Sequence, residues 1–162
     1  MKKIILCLIL SFSLLGCQKQ EPYQEIEVSM SDIKTKIDNK ETFSFMVIRD
    51  GCDFCDSLHS YIEETKNEHT NITLYVVDST DFKFQRDEDT GMLYTDNEDG
   101  DYLLSLSPYF LYTPTIYCVD QGEIEILGIG FNDSTKTISL WDNESSIDFN
   151  EADTVDFWDF IA

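Results

Sequence analysis

The sequence predicts an α/β domain in which helices flank a central mixed sheet, and three observations predict it. Two runs, residues 42–48 and 71–78, are dominated by Phe, Val, Ile, Leu and Tyr, the mark of strands covered on both faces. Between them Leu58, Tyr61 and Ile62 keep a helical period while Glu63, Glu64, Lys66 and Glu68 take the other side. The three segments therefore read as strand, helix and strand joined by a parallel crossover. Farther on, Asp120-Gln121-Gly122 separates two strand-like runs, 115–119 and 123–129, with the turn chemistry of an antiparallel hairpin. Parallel and antiparallel pairings within 162 residues, the length of one ordinary domain, imply a single mixed sheet.

The remaining elements follow in order. Residues 25–28 form a short first strand. Ser29 then offers an N-cap with Asp32 three residues on, before Ile33 and Ile37 at helical spacing, and this helix ends near Lys40. Arg49-Asp50-Gly51 closes the second strand. Residues 79–107 carry Asp87-Glu88-Asp89 and Asp96-Asn97-Glu98-Asp99-Gly100-Asp101 and read as a solvated acidic insertion, with a brief helix at 102–106. A calcium loop does not fit there: placing Gly100 at the glycine of the EF-hand pattern puts Thr95 first and Leu106 last, where carboxylates are required. In residues 150–162, Val155, Trp158 and Ile161 fall on one helical stripe that covers a sheet face.

Composition bounds the function. Apolar residues make up 42% of the chain, so it has a core to bury and lacks the signature of intrinsic disorder. A formal charge of -21 repels a phosphate backbone and excludes nucleic-acid binding, while it attracts basic polypeptides. Lys2 and Lys3 precede an uncharged apolar run over residues 4–15, the pattern of an export signal. Leu14-Leu15-Gly16-Cys17 resembles the bacterial lipoprotein lipobox, which implies a signal peptide at 1–16 and a lipid on Cys17. A polar tether at 17–24 and a folded domain at 25–162 follow. The expected location is the extracytoplasmic face of the cell membrane, held by lipid without an integral span. Loss of Lys2 and Lys3 leaves 9 cations against 32 acids, a charge of -23.

Cys7 leaves with the signal and Cys17 is the lipid site, so the domain keeps Cys52, Cys55 and Cys118. Three thiols make no disulfide scaffold, but Cys52-Asp53-Phe54-Cys55 has the two-residue spacing of redox pairs and metal knuckles. The motif leaves a buried strand through Gly51 and opens a helix. The first sulfur therefore sits at a helix N-terminus, where unpaired amides and the dipole favour a thiolate. That makes Cys52 the nucleophile and Cys55, one turn deeper, the resolving thiol able to close a disulfide. A zinc site is the alternative use of the spacing, but only His59, His69 and Cys118 remain to complete it. Asp53 opposes a thiolate by about as much as the helix end favours it, roughly 0.3 to 1 kcal/mol each, so a strongly oxidising pair is not expected. Arg49 is the nearby cation that could tip that balance. Tyr112-Thr113-Pro114-Thr115 places a proline directly before a strand, which points to a strained turn or a cis bond.

Taken together, the CxxC at the head of a helix after a buried strand, the next strand, the connecting segment, Thr113-Pro114-Thr115, the hairpin and the closing helix resemble the thioredoxin-like superfamily over residues 25–162. Within it the chain is similar to small exported thioredoxin-like proteins of Gram-positive bacteria, including the bacteriocin transport accessory proteins. The resemblance implies a thioredoxin-like fold with the acidic insertion before the cis-proline strand. It implies that Cys52 and Cys55 form a redox-active disulfide, that Pro114 is a cis-proline facing the pair, and that the Thr113 backbone pairs with an extended substrate. The implied activity is thiol-disulfide exchange on cysteines of exported proteins or peptides, with an external electron donor or acceptor, no cofactor and no metal. A second function remains open: a non-catalytic accessory module that holds a peptide or transporter domain in the same groove. The chain departs from the pattern in three ways. Trp-Cys-Gly-Pro-Cys is absent, Met46 stands where many thioredoxins keep a buried acid, and residues 79–107 and 132–149 exceed a minimal thioredoxin. Cys118, on a core strand, reads as an inert buried thiol.

Overall fold

The computed structural model describes residues 20–162. The expected signal peptide at 1–16, the expected lipid site Cys17 and the start of the expected tether lie outside them. In chain order the elements are β1 (Gln24–Glu27), α1 (Met30–Asp38), β2 (Phe43–Ile48), α2 (Asp53–Thr65), β3 (Thr73–Asp78), β4 (Gln85–Arg86), β5 (Leu93–Tyr94) and α3 (Glu98–Leu106). They continue with β6 (Thr115–Asp120), β7 (Glu123–Asn132), β8 (Thr137–Trp141), β9 (Thr154–Asp156) and α4 (Phe157–Ile161). Seven strands form one mixed sheet in the order β1-β3-β2-β6-β7-β8-β9, and β4 and β5 form a separate small hairpin. β2 lies inside the sheet: it runs parallel to β3, as the crossover signal predicts, and antiparallel to β6, while β6 and β7 pair antiparallel, as the hairpin signal predicts. Among the described residues no helix is long and apolar enough to cross a membrane.

Alternation along β2 assigns the layers. Phe45 and Val47 point into a core built with Met30 and Ile33 of α1 and Leu103 of α3. Met46 points the other way, into a core built with Leu58 and Ile62 of α2 and Phe157, Trp158 and Ile161 of α4. Two helices therefore cover each face, and a strand buried on both sides needs the near-continuous apolar run that the sequence supplies. α1 begins with the expected capping box: Ser29 Oγ accepts from the Asp32 amide at 3.2 Å, and Asp32 Oδ2 accepts from the Ser29 amide at 3.0 Å. The Ser29 hydroxyl, which donates to Asp32 Oδ2 at 2.6 Å, and then the Ser29 amide hold the Asp32 carboxyl below its ordinary range.

The β6–β7 turn has positive φ at both Gln121 (49°) and Gly122 (83°), the requirement of a type I′ hairpin. Gly122 also presses against the C-terminal end of α1, where a Cβ would collide with the Ile37 carbonyl, so the position is closed to other residues twice over.

Three segments differ from the sequence-based expectations. The insertion at 79–107 is not simply solvated, because Phe82, Leu103 and Ser107 are buried and the first two join the main core. Its helix starts at Glu98, four residues before the expected 102–106 stretch. Asn97 caps it by accepting from the Gly100 amide at 2.9 Å, and the acids Glu98, Asp99 and Asp101 fill its first turn, where the dipole favours them. Residues 132–149 contain β8, an edge-side continuation of the sheet. Val155 belongs to β9 instead of the last helix, which is confined to Phe157–Ile161 and capped by Asp156.

One buried and one half-buried phenol give a test at high pH. Burial pushes the Tyr117 hydroxyl well up, and burial followed by the nearby Glu25 charge does the same to Tyr23. In the unfolded chain a tyrosine ionises near about pH 10. The folded state thus holds its protons longer, the stability from these groups is complete below about pH 10, and it is lost as pH rises from there through the folded values. A combined titration of tyrosinate absorbance and circular dichroism is expected to show part of the phenolate signal appearing only with loss of the sheet. All phenols ionising near the ordinary value with the fold intact would contradict this.

Candidate active site

The site is built where β2 ends. Gly51, at φ 65°, turns the chain from the strand into α2, and the loop is pinned to the end of β3: the Asp50 amide donates to Thr80 Oγ1 at 2.8 Å, and Ser79 Oγ donates to the Ile48 carbonyl at 2.8 Å. Cys52 is the N-cap of α2, with extended backbone, and its Sγ accepts from the Cys55 amide at 3.2 Å. A sulfur thus occupies the place a Ser or Asp oxygen takes at an ordinary helix start, receiving an amide that would otherwise be unpaired. Cys52 and Cys55 are paired as a disulfide, their Cα atoms 5.2 Å apart. Both are buried, but Cys52 lines a surface cleft and Cys55 does not.

Opposite the pair stands the segment before β6. The Thr113–Pro114 peptide is cis. Thr113 reaches Cys52 twice, with its carbonyl oxygen and its Oγ1 each 3.3 Å from Sγ. In the disulfide form the hydroxyl donates to sulfur; in the thiol form the S–H has the carbonyl as acceptor. Arg49 Nε donates to the same Thr113 Oγ1 at 3.3 Å, so the guanidinium is linked to the sulfur through one hydroxyl. The Thr113 segment is fixed from behind: Gly130, at the bulge of β7, donates its amide to the Pro114 carbonyl at 2.8 Å, and Thr115 Oγ1 donates to the Tyr112 carbonyl at 2.7 Å. Among the described residues the Thr113 backbone N–H makes no hydrogen bond.

Two clefts meet at this line of contact. One, of about 590 Å³, is bordered by Arg49, Cys52, Lys83, Arg86, Phe110 and Tyr112. The other, of about 700 Å³, is bordered by Phe54, Tyr112, Ile129, Phe131 and Phe149 and is mostly apolar. Phe54 is 60% exposed, and Tyr112 and Phe149, 45% and 50% exposed, meet edge to face at 5.3 Å between ring centres. These rings lie open to solvent beside the disulfide instead of joining the core.

The structure places Cys52 and Cys55 beside Thr113 and the cis Thr113–Pro114 peptide, while Cys17 lies outside the described residues. Met46 packs with Leu58 and Ile62, and the buried polar residues of the described chain are Ser79, Ser107 and Thr115, so no buried carboxylate serves the pair. Cys118, half-buried and free, lies 3.6 Å from Ser44 Oγ and 3.7 Å from the Phe160 carbonyl, and burial pushes its thiol up, away from reactivity. His59 is exposed on α2, and His69 stacks on Trp158 at 3.9 Å. Among the described residues no group of His, Cys, Asp and Glu is arranged to hold a metal ion. Sequence reasoning missed Lys83, Arg86 and the apolar cleft. The first two stand just before Asp87-Glu88-Asp89 and are masked by the acidity of their surroundings. No protein-family model and no curated protein matches this chain.

Proposed function

We propose that the protein is a thiol-disulfide oxidoreductase of thioredoxin-like fold, tethered by lipid at Cys17 to the extracytoplasmic face of the cell membrane. The observation that carries the reading is the position of Cys52 Sγ: at a helix N-terminus, paired with Cys55, on the wall of a cleft and against the Thr113 backbone. The reduced pair works in two exchanges. The Cys52 thiolate attacks a substrate disulfide, forming a mixed disulfide and releasing the first substrate thiolate. Cys55, having given its proton to solvent, attacks Cys52 Sγ, closes the internal disulfide and releases the second. The substrate gains two electrons, the pair loses two, and an external dithiol restores the pair. Run in reverse, the same steps oxidise a substrate dithiol.

The free Thr113 N–H supports edge pairing with an extended polypeptide, and the cleft of Phe54, Tyr112 and Phe149 supports an apolar residue near its cysteine. The substrate is a cysteine-containing exported polypeptide. The first turn of α2 carries Asp53 and Asp56, which oppose an anionic sulfur, so the reduced form gains little and the pair favours reduction or exchange over strong oxidation. Equilibration with a series of glutathione redox buffers is expected to give a reversible two-electron transition well below the roughly -120 mV of dedicated periplasmic oxidants. A bridge that never equilibrates would leave the non-catalytic accessory module as the reading.

A further inference from the structure

We propose that the cleft on the Arg49 side of the pair is a carboxylate subsite, so that this enzyme selects cysteines flanked by an acidic residue; the inference rests on the oxidoreductase reading. Charge distribution carries it. The described residues contain all 32 acids and eight of the 11 cations, Lys2, Lys3 and Lys19 lying outside. Four of the eight are ion-paired: Lys34 with Asp38, Lys36 with Glu41, Lys66 with Glu63 and Lys136 with Asp133. Of the other four, Lys40, Arg49, Lys83 and Arg86, three line this one cleft. Only two of the 32 acids, Asp50 and Asp53, line it with them. In a chain this acidic, a chance patch of surface carries several carboxylates for each cation. Here the ratio is reversed, and no carboxylate oxygen of the described residues lies within 4.0 Å of the three cations.

The fold brings these cations from separate places. Arg49 comes from the end of β2 and spends its Nε on Thr113, leaving the two terminal nitrogens of its fork uncommitted. Lys83 follows a 3-10 turn in left-handed backbone, φ 54°, and Arg86 sits in β4, its guanidinium donating to the Gly91 carbonyl at 2.5 Å across the hairpin. The segment that reads as an acidic insertion thus delivers the cations to the active-site side. Its Asp87 is occupied in closing the hairpin turn by accepting from the Asp89 and Thr90 amides. Distance separates the two scales of charge. The overall negative field acts on whole chains, whereas within a Debye length of about 8 Å the groups lining the cleft decide which side chain docks. An incoming peptide then sets an apolar side chain on the Phe54 side and a carboxylate on the Arg49 side of its cysteine.

The test uses the full chain and two peptides of identical composition and net charge, one with Glu beside the central residue and one with that Glu moved to the far end. With Ser at the centre, binding is followed by backbone amide NMR shifts; with a disulfide-linked Cys at the centre, exchange is followed as kcat/KM. The Glu-adjacent peptide is expected to bind and react about fivefold better. The preference should disappear in a Lys83→Gln, Arg86→Gln double variant, fade with added salt, and survive in Lys40→Gln, which removes an equally unpaired cation outside the cleft. Equal affinity for the two peptides, or a preference untouched by the double variant, overturns the subsite. Binding with the expected preference but no exchange overturns the oxidoreductase reading and leaves the subsite standing, while exchange without preference does the opposite.

Discussion

On the proposed function, a Cys55→Ser variant is expected to accumulate substrate polypeptides as mixed disulfides through Cys52, with turnover stopping after one exchange. In Cys52→Ser no adduct is expected, and the rate of exchange is expected to fall by about a thousandfold or more, since the proposed function gives Cys52 the covalent bond to substrate. The asymmetry follows from position. Both cysteines are buried, but Cys52 borders the cleft, receives the Cys55 amide and faces Thr113, whereas Cys55 lines neither cleft. Non-reducing electrophoresis and mass measurement of adducts on the two variants check the result. Adducts in equal amount on both, or on neither, would exclude the assigned roles. An accessory module that only grips a peptide would lose no binding in either variant.

The second large effect is structural. Phe45 is fully buried at the middle of β2 and stacks on Tyr117 of β6, with ring centres 4.5 Å apart and planes within 8°. Phe43 flanks it at 6.0 Å. Phe45→Ala removes the ring from the centre of the α1–α3 core and leaves a cavity that rigid strands cannot close, at a cost of about 3 to 5 kcal/mol. Tyr117 would be left with a fully buried hydroxyl that already lacks a hydrogen bond of good geometry. Against a total of about 5 to 15 kcal/mol for a domain of ordinary stability, that is a large share, and the urea midpoint should fall accordingly. Because Phe45 points away from α2, the molecules that remain folded should keep the reactivity of Cys52. A fall in reactivity without a fall in stability would show that the two faces are coupled in a way this packing does not contain.

The sequence by itself determined the frame of the molecule. Buried-strand runs at β2 and β3, the capping box at Ser29, the hairpin turn at Gln121-Gly122 and the CxxC at the head of α2 were all legible, because each is a local pattern: a period, a cap, a pair of positive φ angles, a spacing of two. β8 and β9 were not. β9 is three residues long, and β8, although its Ile138 and Leu140 alternate with polar neighbours, follows a bulge and a turn that break the period. The insertion was misjudged for a related reason: its acids are many and visible, while Phe82 and Leu103 reveal their burial only when the segment folds back onto β2 and β6.

Only the tertiary structure decided the character of the site. Thr113 is 61 residues from Cys52 in the chain and 3.3 Å from it in space. Arg49, Lys83 and Arg86 are brought together by three unrelated devices, a strand end, a left-handed turn and a two-residue strand. Sequence patterns report what each residue wants from its immediate neighbours. The sign of the charge beside the disulfide is a sum over residues distant in the chain, and that sum exists only once the sheet has placed them.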